Sequence, residues 1–491
     1  MMERKPAIER KWWTLIAVCV AIFMLLLDIT VVNVALPDIQ RSLHSSFQDL
    51  QWVVDAYSLT LAAFLLTGGA LADLFGRRRL FVIGLVVFTG ASAACGLSSS
   101  ALMLNFARGV QGVGGALMYA TSLALIAQAF QGRDRGIAFG VFGAVTGAAV
   151  AVGPLVGGII TSGIGWEWIF FVNIPIGMIA VFVTLAKVVE SRDPHATGVD
   201  WAGLVTFSGS LFLLVFALVR GNNLGWGSTE TVAMLSGSAV LFALFLLAET
   251  FQERPMLDLS LFRRPAFAGA SFVAFATAAS AFSMFLYLTL YIQTVLHYAP
   301  LQAGLRFLPI TLLSFAVAPL AGRLSVRVPI RLLLGVGMML IGAGLLTMTA
   351  VTATSGWTAL IPGFVLQGAG IGLVNPPLAS AAIAVAPISR SGMASGANNT
   401  FRQVGIATGI AALGAVFQHD IAQGALAHHS YRVAFTGALN NILEIAAAIA
   451  FAGAVAGFTL VRSKDFIVSH APEPATRSAR APLVATTGEH G

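Results

Sequence analysis

The sequence predicts an all-α membrane protein that crosses the bilayer many times. Of its 491 residues, 57% are hydrophobic and only 10% charged, where a soluble chain carries about 25% charged residues. The mean hydropathy is +0.86. Apolar stretches of about 20 residues, long enough to span a bilayer as helices, recur along the chain. Positive charge falls on alternate loops between them, the pattern that sets membrane topology.

Fourteen such stretches are expected as spanning helices: residues 12–36, 51–72, 80–98, 101–129, 136–162, 167–188, 200–219, 230–249, 266–295, 302–325, 331–351, 357–385, 394–418 and 433–461. With the N-terminus inside, about 22 of the 28 Lys and Arg residues lie on the inner side. Gaining or losing one helix would scramble that alternation, so both ends are expected to be cytoplasmic. The run beginning at Trp12 follows Arg4, Lys5, Arg10 and Lys11 as a signal peptide would. It is too long for a cleavable core, however, and reads as helix 1.

The remaining composition excludes several classes. A net charge of +7 is ordinary loop topology and implies no nucleic acid. Cys19 and Cys95 lie in apolar spans, without disulfide or zinc spacing. The eight His residues are scattered, and no catalytic or metal-ligand cluster is visible, so neither enzyme activity nor a metal is expected. There is no GxxxxGK[ST] phosphate loop to drive an ATP pump. The polar tail after Val461, with Pro472, Pro474 and Pro482, is expected to be disordered.

Asp28 is the energetic anomaly of helix 1. An Asp at the centre of a spanning helix costs about 2.5–3.5 kcal/mol and is generally kept for work. Counting along the expected helices places Asp28, Asp55 and Arg108 in one layer, roughly 8–12 Å below the outer surface. An arginine favours the charged carboxylate, whereas burial and a second acid disfavour it. Such opposed terms suit a proton carrier. Asp28 is therefore expected to exchange a proton, with Arg108 tuning it and Asp55 as a second acid or cation contact. The alternative is a static ion pair tying helices 1 and 4.

A weak internal repeat relates GALADLFGRRR (Gly69 to Arg79), after helix 2, to PLAGRLSVRVPIR (Pro319 to Arg331), after helix 10. Parallel repeats of this kind are typical of transporters built from two six-helix halves. The expected organisation is a first bundle over 1–190, two inserted helices within 191–260, a second bundle over 261–462 and a tail over 463–491.

Six motifs occur in order: LDITVVNVALP in helix 1, GALADLFGRRR after helix 2, RGVQGVGGA from Arg108, GPLVGG from Gly153, WEWIFFVNIPIG from Trp166 and NNTFRQVG from Asn398. Together they resemble the fourteen-helix drug:proton antiporters of the major facilitator superfamily, over nearly the whole chain. Glu167 departs from that pattern, which commonly has a basic residue. The resemblance implies two six-helix bundles plus two inserted helices, a multi-pass protein of the bacterial inner (plasma) membrane, protons as coupling ion and no other cofactor.

The remaining motifs carry physical readings of their own. Asp73, Gly76 and Arg77 would form a gating latch at the inner end of helix 2, Asp73 pairing with Arg77, Arg133 or Arg135; simple positive-inside anchoring is the alternative. Gly153, Pro154, Gly157 and Gly158 form a small-residue face with a kink in helix 5, which the family links to exchange. Polar and aromatic residues on apolar helices are candidates for a substrate pathway: Asn33, Tyr57, Gln111, Tyr119, Asn375 and Asn399, with Gln128, Tyr287, Gln293, Gln367 and Asn398 in a wider set. Arg402 and Glu444, both near mid-membrane on consecutive helices, are expected to pair; alternatively Glu444 faces a water-filled cavity.

The expected function is a proton-coupled exporter of lipophilic, often cationic compounds, working by alternating access in the lipid bilayer as a monomer. A dedicated exporter of one metabolite or self-made antibiotic is the rival within transport. A receptor or scaffold without flux is disfavoured by the stacked intramembrane acids.

Overall fold

A computed structural model describes residues 10–130, 132–192, 198–252, 255, 257–325, 327–384 and 391–462. The expected tail and part of the expected linker lie outside them, as do the side chains of Arg133 and Arg135. Every expected span coincides with a helical run. These are α1 (Arg10–Leu43), α2 (Phe47–Phe75), α3 (Arg77–Gly96), α4 (Ala101–Ala129) and α5 (Gly132–Gly163). Next come α6 (Trp168–Lys187), α7 (Trp201–Leu224), α8 (Thr229–Phe251), α9 (Pro265–Val295) and α10 (Pro300–Leu324). Last are α11 (Ile330–Met348), α12 (Ile361–Ala384), α13 (Ser391–Leu426) and α14 (Tyr431–Leu460). Thirteen of these runs, α12 counted from Trp357, are long and apolar enough to cross a membrane among the described residues. In α5 the apolar stretch is Val152–Gly163.

Polar caps mark several helix starts. Ser46, Ser100, Ser228 and Ser430 each accept a backbone N–H from the first turn of α2, α4, α8 and α14, satisfying donors that the helix itself leaves open. Two expected boundaries shift. Helix 1, expected over residues 12–36, continues through Pro37 to Leu43, so Asp28 lies 15 residues from the helix end. α2 begins at Phe47, eight residues before Asp55. In each case polar residues at the helix end extend the structure beyond the apolar run, which hydropathy alone does not register.

The helices pack as two groups. In the first, α2 and α3 flank α4, and α1 lies along α5; in the second, α11 packs on α12 and α14, α10 on α12, and α9 on α13 and α14. α7 pairs with α8 and leans on both α2 and α13. The inserted hairpin thus covers one seam between the groups. Gln48 of α2 anchors it, donating to the Val219 carbonyl at 3.2 Å and accepting from Asn223 at 2.9 Å, while Asn222 donates to the Ala415 carbonyl of α13.

The groups are stitched at the end that carries the α1–α2 turn. Gln293 donates to the Val34 carbonyl at 2.7 Å, and the Leu301 N–H donates to the Ser162 hydroxyl at 2.9 Å. Gln51 and Tyr287 both donate to the Ile410 carbonyl, at 3.1 and 2.6 Å. α9 is not a regular helix: π-helical turns occupy Ala278–Phe282 and Tyr291–Val295, and Gln293 sits in the second. Such turns re-aim side chains and recur at functional sites.

Candidate functional site

Asp28 and Arg108, placed in one layer by the sequence, meet in the structure, whereas Asp55 is not joined to them. Asp28 and Arg108 are 2% and 1% exposed. Arg108 donates to Asp28 at 2.5 Å, to Gln111 at 2.7 Å and, through Nε, to the Val53 carbonyl at 3.0 Å. Asp28 also accepts from Gln111 at 2.9 Å and from Asn173 at 3.1 Å. Asn173 further donates to Ser92, whose hydroxyl donates to the Phe170 carbonyl. The guanidinium lies 4.3 Å from the Tyr57 ring centroid, a cation–π contact. This network ties α1, α2, α3, α4 and α6 together, and its geometry is that of the static pair weighed as the alternative. Asn173 and Ser92 are members that the sequence reading missed; each is a small polar residue in an apolar span, a weak signal shared by many residues that only bond their own helix.

Asp55 is different. It is fully buried, at 0% exposure, and neither carboxylate oxygen has a hydrogen-bond partner. Arg108 does not reach it. Asp55 lies one helical turn from Gln51, beside Tyr287 of the second group. An ionised carboxylate in such a place would carry an uncompensated desolvation cost of several kcal/mol. Gly414 makes the junction possible, since any Cβ there would strike the Gln51 amide.

The two glycine motifs are close-approach surfaces. A Cβ at Gly153 would collide with the Thr30 side chain, and one at Gly157 would lie 2.9 Å from the Val31 carbonyl oxygen, so α5 lies directly on α1. A Cβ at Gly158 would lie 2.7 Å from Leu301 Cα, which places this glycine at the contact with α10 of the second group. Pro154 contributes its carbonyl to the approach of Gly304. The motif therefore serves packing within one group and closure between the two.

Asp73 accepts from Arg77 at 2.9 and 3.1 Å, the first of the three partners expected. Gly76, between them, has φ +107°, a conformation that glycine adopts readily and other residues rarely do. Glu190, which the sequence reading did not single out, caps α3: its carboxylate accepts from the Arg78, Arg79 and Ser191 backbone N–H groups at 3.0, 3.1 and 2.9 Å. A carboxylate at a helix N-terminus is favoured by the unpaired N–H groups and the helix dipole.

The expected Arg402–Glu444 pair is not formed. Glu444 is exposed on α14, as the alternative of a water-facing acid requires, whereas the Arg402 guanidinium lies 4.6 Å from the Phe282 ring centroid. Tyr119 of α4 is hydrogen-bonded to Asn399 and lies within the field of Arg402. Asn33 bonds the carbonyl of Ile29 in its own helix, and Asn398 donates to the Ala270 carbonyl. Gln367 is buried with both amide atoms unpartnered, Asn375 is partly buried, and Gln128 is exposed. Among the described residues no group of three or more His, Cys, Asp or Glu side chains could hold a metal ion.

Two helical groups closed on each other at one end, with acids and an arginine buried between helices, define a membrane transporter. A sequence model of the Major Facilitator Superfamily matches residues 18–410, and the chain belongs to that family. It is 39% identical over 404 residues to the multidrug resistance protein Stp of Mycobacterium tuberculosis, covering 82% of this chain and 75% of that one. It is 35% identical to the tetracenomycin C resistance and export protein of Streptomyces glaucescens, covering 82% and 76%. It is also 35% identical to the methylenomycin A resistance protein of Streptomyces coelicolor, covering 82% and 84%. Among solved structures it shares its fold with a bacterial homologue of the human lysosomal transporter Spinster in an inward-facing, unoccupied conformation. The TM-score is 0.65 at 16% identity, covering 95% of this chain and all of that one.

Proposed function

We propose that this protein is a drug exporter of the bacterial plasma membrane that exchanges protons for lipophilic, often cationic compounds by alternating access, with both termini cytoplasmic. The relatives named for multidrug and antibiotic resistance support export as the activity. In that orientation the stitched end is the outer face, closed in this structure.

The observation that carries the coupling mechanism is Asp55. Buried without a partner at the seam between the groups, it is accommodated as the neutral, protonated acid. When the outer contacts part, the same carboxyl meets water and exchanges its proton. The Asp28–Arg108 network instead holds helices in register while the groups rock, so the exchangeable proton is assigned to Asp55 and a structural charge pair to Asp28. Each proton moved inward through 100 mV supplies about 2.3 kcal/mol, which drives a neutral compound out directly; one-for-one exchange with a monovalent cation moves no net charge and draws on the pH gradient instead.

The test uses acid-loaded inverted vesicles with an internal pH dye and ethidium. Ethidium should drive proton release from vesicles bearing the wild-type protein and fail to do so with Asp55→Asn. Ethidium-driven proton release at the wild-type rate in Asp55→Asn would sink the assignment. A narrower reading, export of one compound, is supported by relatives named for single antibiotics. A panel of unrelated cations separates the two.

A further inference from the structure

We propose that Arg402 anchors an anionic group, so that the protein takes aromatic acids, bearing a carboxylate or an ionised phenol, as well as cations. This deepens the exporter reading and rests on it for the consequence in transport, but not for the binding itself.

Arg402 lies 11 residues from the start of α13, and Tyr119 lies 10 residues from the end of α4. Both are therefore about 15 Å from the helix ends opposite the stitched face. Asn399, one turn before Arg402, is hydrogen-bonded to Tyr119. The two groups thus meet at this level around a guanidinium that is only partly buried and makes no ion pair among the described residues.

The residues around it offer no anion. Between positions 261 and 462 the chain has only two acids, Asp420 and Glu444. Asp420 accepts from Asn441 at 2.7 Å near the stitched end, and Glu444 is exposed on α14 and does not act on Arg402. In the first group Asp28 is spent on Arg108. Asp55, one helical turn inward of the Gln51 that bonds Ile410, has no hydrogen-bond partner and so does not bond Arg402. Among the described residues Arg402 is thus a cation without an ion-pair partner at the junction of the groups. A charged group in such a position is costly to keep unless it does work there.

Its orientation fits a ligand of definite kind. The π-helical turn Ala278–Phe282 ends on Phe282, whose ring centroid lies 4.6 Å from the guanidinium carbon. The close approach of α9 and α13 that this requires is allowed by Gly405 and Gly409, where a Cβ would meet the backbone of Phe275 and Ala279. No carboxylate engages the guanidinium among the described residues, so its N–H groups remain for a planar oxyanion, which arginine binds as a fork. The rings of Phe282 and Tyr119 and the Asn399 amide would flank such a ligand with apolar surface and further hydrogen bonds, the mixed lining of a small-molecule site.

The test is equilibrium binding of 2-naphthoate and of its uncharged methyl ester to the purified full-length protein, without any gradient. The wild type is expected to bind the acid at least tenfold more tightly than the ester. Arg402→Gln should reduce that preference to less than twofold, and Arg402→Lys should retain part of it, with thermal unfolding confirming that both variants fold. Equal affinity for acid and ester in the wild type, no binding of the acid, or a preference that survives in Arg402→Gln would each overturn the proposal. Ethidium-driven proton release by the wild type reports separately on antiport. Its absence alongside an Arg402-dependent acid preference would reject antiport and leave the anion site standing.

Discussion

Gln51 of α2 and Ile410 of α13 are joined by a hydrogen bond of 3.1 Å although 359 positions separate them in sequence. The same Ile410 carbonyl accepts the Tyr287 hydroxyl, and Gln418 donates to the Gln51 amide oxygen at 3.1 Å. Gln51 is therefore a point at which the two helical groups hold one end of the protein closed.

Replacing Gln51 by Leu should loosen that end. Two hydrogen bonds are lost, each contributing about 0.5–1.5 kcal/mol net, so the equilibrium should shift toward opening at the stitched end by roughly tenfold or more. Spin labels on the α1–α2 and α9–α10 turns, measured by pulsed dipolar spectroscopy, should show a grown long-distance population. An unchanged distribution would remove Gln51 from the gate.

Asp28 and Asp55 should separate by stability as well as coupling. Asp28→Asn leaves the Arg108 guanidinium buried without its counter-charge, and breaking such a pair costs about 3–5 kcal/mol. Asp55→Asn removes an acid that has no partner to lose. Melting in detergent should therefore fall clearly for Asp28→Asn and stay near the wild type for Asp55→Asn. The reverse order would show that the roles have been exchanged.

Gly76→Ala should destabilise through both backbone and contact. Holding an alanine in a sparsely populated backbone region such as φ +107° costs of order 1–3 kcal/mol, and its Cβ would lie 2.7 Å from Glu190 Oε1. Adding Glu190→Ala relieves only the contact. Its own loss uncaps α3, so the double variant should melt no higher than Gly76→Ala alone. Full recovery of the melting temperature would mean that contact, rather than backbone, governs the site.

Gly158→Val should act on the transport cycle more than on folding. Gly158 meets Leu301 and Pro300 across the seam, whereas Gly153 meets Thr30 within one group. Gly158→Val should therefore hold the stitched end apart and lower turnover at least tenfold with little change in melting. Gly153→Val should lower stability itself. Equal melting losses in the two variants would contradict this division of the motif.

Much of this protein is set by local chemistry that a single chain displays. Runs of apolar residues long enough for the bilayer fix where the helices lie, because backbone polar groups in lipid must be satisfied internally. Asp28, Asp55, Arg108 and Gly153 stand out for the same reason: a charge or a missing side chain in such a run has an energetic meaning wherever the helix is placed. The ordered motifs likewise point to the superfamily before any contact is known.

Partnership was decided only by the tertiary structure. Asp28 and Asp55 are both acids in apolar helices, yet one accepts three side-chain hydrogen bonds and the other none. Depth counting put them in one layer but gave no rotation about the helix axes, and rotation determines which side chains meet. The same lack made Arg402 and Glu444 look like a pair, when Glu444 is exposed and Arg402 lies against Phe282. Hydropathy specifies position along a helix; packing between helices specifies direction around it, and the chemistry of this transporter depends on direction.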